Sequence, residues 1–399
     1  MRTAYKCRAY PDPEQAAVLN RTFGCVRLVW NRTLAWRHQR WYGRREATNV
    51  PQANAHLTQM KQDTDLVFLN EVSSVPLQQV LRHQQKAFSN FFAQRAKYPR
   101  FKSREGRQSA EYTRSGFRYR QGRLYLAKMS TPLDFVWSWP DIDPATLDPS
   151  TVTVSRDVDG RFYVSFSVQT SDPEPLSPTG AVVGVDLGVK DFTVTSHGDR
   201  TPNPHHLERK AKNLARYQRR MARKQRGSNN HGKAKKKVAV AHRKVRHARN
   251  DFLHKTSTRL VRDHDLIAIE DLNVKGMVRN RSLARAISDC GWGAFRSMLA
   301  YKAHKWGKHL VVIDRWHPSS KTCSNCQYLL AELKLSTRHW TCPGCGTRHD
   351  RDVNAAKNIL AAGLAVAACG GDVRHTESSR VLSPTKQEPQ PVRVGIPRL

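Results

Sequence analysis

Acidic residues are scarce in this chain of 399: 33 Asp and Glu stand against 68 Lys and Arg, a formal net charge of +35. Such an excess of one sign repels itself unless a polyanion lies against it, so nucleic acid is the expected partner, ahead of an anionic membrane. Long apolar runs are also missing. The longest uncharged one, residues 359–369, has eleven residues, against the roughly 18 or more that a membrane span needs. The opening stretch MRTAYKCRAYPDPEQ mixes charge and proline without an apolar core, so no signal peptide is expected, and the expected location is cytoplasmic. Of eight cysteines, four fall in paired C-x-x-C motifs and the others stand singly, a spacing that in a reducing compartment reads as metal binding more than as a disulfide framework, and no internal repeat is found. What is present suffices for real cores: 39% of residues are hydrophobic, which excludes wholesale disorder, and the length allows about two to four domains.

Residues 1 to about 100 are largely helical after a short opening strand. Asp12 and Pro13 form a helix-start pair, and Val26, Val29, Trp30 and Leu34 recur at helical spacing. A second helix starts near Ser74 and Pro76, carrying Leu77, Leu81 and Phe88. From about 108 to 170 short alternating runs broken by glycine predict a small β barrel or sheet, with a hairpin turn at Asp159-Gly160. SDPEPLSPTG (171–180) reads as a linker. Beyond it the chain alternates strands and helices, an α/β pattern. Residues 208–262 hold 20 Lys or Arg against two acids, which predicts a hairpin of two basic helices aimed at phosphates. A merely solvated face is the alternative, though such faces usually carry both signs. Residues 371–399 are polar and expected to be a disordered tail.

Two motifs carry chemistry. Cys323-x-x-Cys326 and Cys342-x-x-Cys345, 15 residues apart, have the spacing of a four-cysteine zinc ribbon, each pair supplying half of a tetrahedron. Pro343-Gly344 is the expected turn of the second pair, and with four thiolates present His339 and His349 are expected to be bystanders. Four ligands leave no open position, so the zinc is structural. Separately, Asp186 ends the run VVGV, Glu270 ends LIAI, and Asp352 opens a helix after the ribbon. Strand-end carboxylates can converge at one sheet edge, as two-Mg²⁺ phosphodiester chemistry requires. Taken singly, Asp186 also reads as a turn residue, Glu270 as half of a surface pair with Asp271, and Asp352 as a helix cap.

The strings VVGVDLGVKDF (182–192), IAIEDLNVKGM (267–277), SDCGWGAF (288–295), CSNC…CPGC and HDRDVNAAKNI (349–359) together resemble the TnpB family of transposon-encoded RNA-guided nucleases, related to type V CRISPR effectors. KCRAYPDPEQ, FGCVRLVWN, SSVPLQQVLRHQQKAFSNFF and YPRFKSR extend the resemblance over nearly everything but the tail. It implies an α/β and β multidomain protein. Residues 1–10 and 96–175 would form a wedge-type β barrel with an inserted helical recognition lobe at 11–95. Residues 176–370 would be an RNase H-like RuvC domain holding the basic hairpin 208–262 and the zinc ribbon 317–349. The implied catalytic acids are Asp186, Glu270 and Asp352, the last chosen over Asp350 because it directly precedes x-N-A-A-x-N. Also implied are two catalytic Mg²⁺ and one structural Zn²⁺, a guide RNA from the transposon end, and double-stranded target DNA cut beside a short adjacent motif. The protein would act as a monomeric ribonucleoprotein at a prokaryotic nucleoid. By the same similarity Asn54, Ser74 and Gln78 would read the adjacent motif. EYTRSGFRYRQGRLYL (111–126) interleaves aromatics with Arg, so Tyr112, Arg114, Arg118 and Arg120 suit stacking and phosphate contact, or else mark a strand with core aromatics. No helix-turn-helix is evident, and base pairing by a guide would leave the protein to hold backbone. A strand-transfer transposase and a non-cutting RNA-guided repressor remain the alternatives; all three acids are present, which weighs against the repressor.

Overall fold

A computed structural model describes residues 2–334 and 336–368; the tail expected to be disordered lies outside them. The first half runs β1 (Arg2–Ala9), α1 (Pro13–Arg44), α2 (Val50–Gln62), α3 (Ser74–Phe92), β2 (Gln108–Thr113), β3 (Phe117–Arg120), β4 (Arg123–Leu126), β5 (Phe135–Val136), β6 (Pro149–Arg156) and β7 (Phe162–Gln169). Asp12 caps α1 reciprocally with Gln15, as its sequence leads one to expect. The helix then runs unbroken through Gly24 and ends where Arg45 turns left-handed at φ 55°. Five strands form an antiparallel sheet in the order β2-β6-β7-β1-β5, and β3-β4 form a separate hairpin. No ladder closes β2 onto β5 among the described residues, so the observed unit is a sheet with a hairpin rather than a hydrogen-bonded closed barrel. Gly160, at φ +86°, makes the β6-β7 turn where the sequence places it. Leu19, Phe23 and Val26 of α1, Leu57 of α2 and Leu77 of α3 pack with Val152, Val164 and Phe166 of the sheet, so one core joins helices and strands.

The second half runs β8 (Val182–Asp186), β9 (Asp191–Thr195), β10 (Arg200–Pro202), α4 (His206–Ala222), α5 (Asn229–Asp263), β11 (Leu266–Glu270), α6 (Val274–Met277), α7 (Ala284–Cys290), α8 (Trp292–Lys305), β12 (His309–Ile313), β13 (His339–Thr341), β14 (Arg348–Asp350) and α9 (Arg351–Ala368). Its sheet has the order β10-β9-β8-β11-β12. β8 pairs antiparallel with β9, whereas β11 pairs parallel with β8 on one side and β12 on the other. Because side chains alternate along a strand, each central strand serves two layers. Val183, Val185, Ile267 and Ile269 face one core with Leu253, Phe295 and Leu299 of α5 and α8. Gly184 and Ala268 face α9 on the other side. A Cβ on Gly184 would lie 2.0 Å from the Ala356 carbonyl oxygen, and one on Gly363 would lie 2.5 Å from the Ala268 Cβ, so α9 rests directly on the strand backbones.

The linker 171–180 has no regular structure but is strapped down. The Asp265 carboxylate accepts N–H groups of Thr179 and Gly180, and the Lys308 ammonium reaches both Asp265 and the Ser177 carbonyl. The two halves are tied more firmly by the β6-β7 turn, whose Asp159 and Asp157 pair with Arg243 and Arg246 of α5. The basic hairpin exists as α4 and α5, but it does not project along its whole length. Val245, Leu253, Leu260 and Val261 are buried, so the C-terminal half of α5 belongs to the core and only the rest of the hairpin projects.

Candidate active site and metal centre

Parallel pairing puts the C-terminal ends of β8 and β11 at one edge of the sheet. Ile269 is level with Val185, so Asp186 and Glu270 follow side by side. Counting in twos, Asp186 shares the face of Gly184 and Glu270 that of Ala268, which is the face covered by α9. Asp352 lies on the stripe of α9 that continues through the buried Ala355, Ala356, Ile359 and Gly363. Four residues of helix rise about 6 Å and two of strand about 6.6 Å, so contact of Ala356 with Gly184 sets Asp352 at the level of Asp186. The three acids thus meet at one edge, brought there from three distant stretches of chain.

The electrostatics match. Burial and the neighbouring Glu270 and Asp352 carboxylates push the Asp186 carboxyl up to about 7, Arg351 opposing them. The three do not close into a tight cage: among the described residues only the four cysteines gather ligand atoms within 4.8 Å of one another. A wider spread suits carboxylates that flank a pair of ions roughly 3.5 to 4 Å apart.

Several supporting residues carry no local signal in the sequence. The Ser319 hydroxyl donates to Glu270. Arg200, on β10, binds Asp191 and Asp350 at 2.8 Å each and stands 3.6 Å from Asp352, while Arg338 stands 3.7 Å from the other Asp352 oxygen. Asp350, not Asp352, caps α9, accepting the N–H groups of Asp352 at 3.1 Å and Val353 at 3.0 Å. The capping alternative for Asp352 is thereby removed. An acid two residues before a helical stripe was the signal that could have found the cap. Asp271, read as half of a surface pair with Glu270, instead bridges Arg296 and Arg315.

The cysteines converge as their spacing predicts. Cys323 and Cys345 sulfurs lie 3.7 Å apart, Cys326 and Cys342 sulfurs 3.6 Å. A tetrahedron with Zn–S of about 2.3 Å has edges of about 3.8 Å, so the donor set fits a four-thiolate metal ion. The left-handed residues of the two knuckles are Gln327 (φ 63°) and Gly346 (φ 72°). Pro343 and Gly344 lie in the turn of the second pair as expected, and Gly344 is also small because Tyr328 lies over it, 3.1 Å from where a Cβ would be. His349 is more than a bystander: its Nε2 lies 3.0 Å from the Cys323 sulfur and its ring packs on Trp340, outside the ligand set but orienting it. His339 is half exposed and stands 3.9 Å from Asp350.

The basic helices α4 and α5 enclose a cavity of about 730 Å³ lined by Lys210, Arg216, Tyr217, Arg220, Lys236 and Lys244, among others. In the segment 111–126 the alternatives divide. Tyr112 is 1% exposed and is a core residue of the β2 strand, which corrects its expected place on a stacking surface. Arg114, Arg118 and Arg120 are exposed; Arg114 pairs with Asp148 and Arg118 lies over the Tyr125 ring at 4.7 Å. Ser74 and Gln78 are exposed one turn apart on α3, and Asn54, on α2, is half-buried.

Comparison with known proteins follows this division of the chain. A family model described as "Probable transposase" matches residues 165–281, and one described as "Cas12f1-like, TNB domain" matches residues 292–359. Among the relatives named "Putative RNA-guided DNA endonuclease" are two that match over nearly their whole length. That of Streptomyces pristinaespiralis is 53% identical, covering 100% of this chain and 99% of its own. The chain belongs to the TnpB family. The second relative, InsQ of Escherichia coli K12, is 33% identical over 97% of both chains. "TnpB-like protein L79" of Acanthamoeba polyphaga mimivirus is 30% identical over 55% of this TnpB-family chain and 45% of its own. In fold, the chain resembles the protein of a Cas12f1-sgRNA-target DNA complex, with a TM-score of 0.55 at 13% identity, covering 88% of this chain and 83% of that one. A third model, described as "Helix-turn-helix domain", matches residues 1–46. Residues 2–44 of this TnpB-family chain form one strand and one uninterrupted helix, without the turn and second helix of a groove-reading motif. No helix among the described residues is long and apolar enough to cross a membrane.

Proposed function

We propose that this protein is an RNA-guided DNA endonuclease of RuvC type, acting as a monomeric ribonucleoprotein in the cytoplasm and holding a guide RNA from its transposon's end. The observation that carries the reading is the meeting of Asp186, Glu270 and Asp352 at the C-terminal edge of β8 and β11 beneath the start of α9. An antiparallel three-strand meander followed by two parallel strands supports the RNase H-like assignment. So do the relatives' names and the fold likeness to a protein solved with guide RNA and target DNA. Asp186, Glu270 and Asp352 would hold two Mg²⁺, which when bound supply an activated water and stabilise the leaving 3′-oxygen. The chain's own residues set the geometry. Ser319 holds one Glu270 oxygen, Asp350 fixes the first turn of α9, and Arg200 and Arg338 offset the negative charge around Asp352. Zn²⁺ on the four cysteines would hold the ribbon that carries Arg338.

The lysines and arginines of α4 and α5 would grip a guide–target heteroduplex by its backbone, leaving sequence to base pairing. Arg114, Arg118 and Arg120 offer further phosphate contacts, and Asn54, Ser74 and Gln78 are the candidates for reading the adjacent motif.

The test is to express the gene with its downstream flank, sequence the RNA that copurifies, and challenge the complex with Mg²⁺ on a plasmid library of randomised flanks. Cleavage is expected to need the RNA, one short flank and Mg²⁺. Asp186→Ala or Glu270→Ala is expected to abolish it while RNA binding persists; cutting by either variant removes that acid from the site. DNA ends joined to a new strand would favour a transposase, and bound RNA without any cutting a repressor.

A further inference from the structure

We infer that the indole of Trp316 is a stacking platform for an unpaired nucleobase of the DNA strand led to the acids. This rests on the endonuclease reading and adds a substrate subsite to it.

Trp316 is 84% exposed, the most exposed large hydrophobic side chain among the described residues, and its ring makes no aromatic or cation contact with another of them. An exposed side chain usually sits on a loose loop; this one does not. β12 runs parallel to β11 with Ile313 level with Glu270, so the chain leaves the sheet beside the candidate acids. Asp314 then closes a turn, its carboxylate accepting the Trp316 N–H at 2.7 Å and its carbonyl the His317 N–H at 3.2 Å. Arg315 is fastened to Asp271, the residue after Glu270, and Asp271 is held by Arg296 from α8. Downstream, Ser319 donates to Glu270, and its carbonyl accepts the Asn358 amide of α9 at 2.7 Å. Trp316 is therefore a free ring on a backbone pinned on both sides to the candidate site. Three residues of chain and one strand spacing put its Cα within about 15 Å of that of Glu270.

A fixed aromatic face in water, with Arg315 next to it in the chain, suits an aromatic ligand that carries negative charge. Every nucleobase has a π-face, so stacking is tolerant of sequence. A nuclease whose guide supplies specificity needs that tolerance where the strand is cut. Because the turn is already ordered, stacking on it costs little conformational entropy. Trp316 would act as a positioning residue, holding one base so that a phosphate nearby lies against the acids.

The experiment uses the full chain with its copurified RNA and single-stranded DNA bearing 2-aminopurine at successive positions, with Ca²⁺ in place of Mg²⁺. Wild type is expected to quench the probe at one or two positions next to the cut. Trp316→Ala should lose that quenching and raise KM for cleavage roughly tenfold, within the stacking range of about 1–3 kcal/mol per base, with kcat much less affected; Trp316→Phe should restore both. Equal quenching by wild type and Trp316→Ala overturns the inference. So does a change of oligomeric state in Trp316→Ala on size-exclusion chromatography, which would mean that another copy covers the ring. Asp186→Ala separates the two readings: it should quench like wild type. If neither wild type nor Trp316→Phe cuts while position-specific quenching still depends on residue 316, the endonuclease reading fails and the stacking site stands.

Discussion

Lys302 shows how a single residue ties stability to pH in this protein. Its ammonium is buried against α5, donating to the His254 carbonyl and the Ser257 and Thr258 hydroxyls at 2.7, 2.8 and 2.7 Å. Burial lowers it to about 8, whereas an unfolded lysine titrates near about 10.4. Below pH 8 both states carry the proton and the penalty is constant. Between about 8 and 10.4 the unfolded state binds more protons, so stability contributed at this site rises with pH. Thermal melts should show wild type gaining on Lys302→Met across that window and not below it. At the ribbon, Cys323→Ser removes one corner of a tetrahedron that a four-thiolate site cannot spare. Elemental analysis should find the variant depleted of zinc while wild type carries about one ion.

Among the elements, α9 decides most. It brings Asp352 to the edge of β8 only because Gly184, Ala268 and Gly363 leave room for helix and strand backbones to touch. A side chain at Gly184 would meet main-chain atoms of Ala356 and Leu360, which cannot rotate away. Gly184→Ala should therefore cost about 3 kcal/mol, the upper range for overpacking, read as a lower denaturant midpoint. It should also slow cleavage beyond the loss of folded protein, because an ångström of misplacement at Asp352 is felt in the rate. The glycine was visible in VVGVD, but nothing in that string says what presses on it.

Across the whole molecule, charge and its distribution govern binding. The 68 Lys and Arg are not uniformly free: Arg243 and Arg246 pair with Asp159 and Asp157, tying the basic hairpin to the first half of the chain. Arg243 and Asp159 are nearly buried, with side chains 10% and 2% exposed. Lys233, Lys236, Lys237 and Lys244 are exposed beside the α4-α5 cavity and remain available to phosphates. Replacing these four by Gln should flatten the plot of log K against log salt by up to about 3 to 4 in slope, since each duplex phosphate left without its cation takes about 0.9 from it. An unchanged slope would place the cavity away from nucleic acid. Asp159→Ala probes the tie itself. Stranding a buried guanidinium costs about 3–5 kcal/mol, so the melting temperature should fall by several degrees.

Local patterns determined much of this protein. The Asp12 cap, the Asp159-Gly160 hairpin, the strands ending in Asp186 and Glu270, and the paired cysteines follow from spacing, because a cap, a turn and a chelating knuckle each involve residues only two to five positions apart. Tertiary structure decided whatever depends on a partner far along the chain. Asp352 rather than Asp350 faces the sheet because α9 has one rotational setting against Gly184. Tyr112 is core rather than surface because α1 and α3 cover its strand. One face of the C-terminal half of α5 is buried despite the helix's charge because a sparse apolar stripe suffices once a sheet lies beneath it. Arg200, Ser319 and Trp316 acquire their places only when strands, ribbon and helix meet, since no spacing in sequence encodes a contact closed over tens of residues or more.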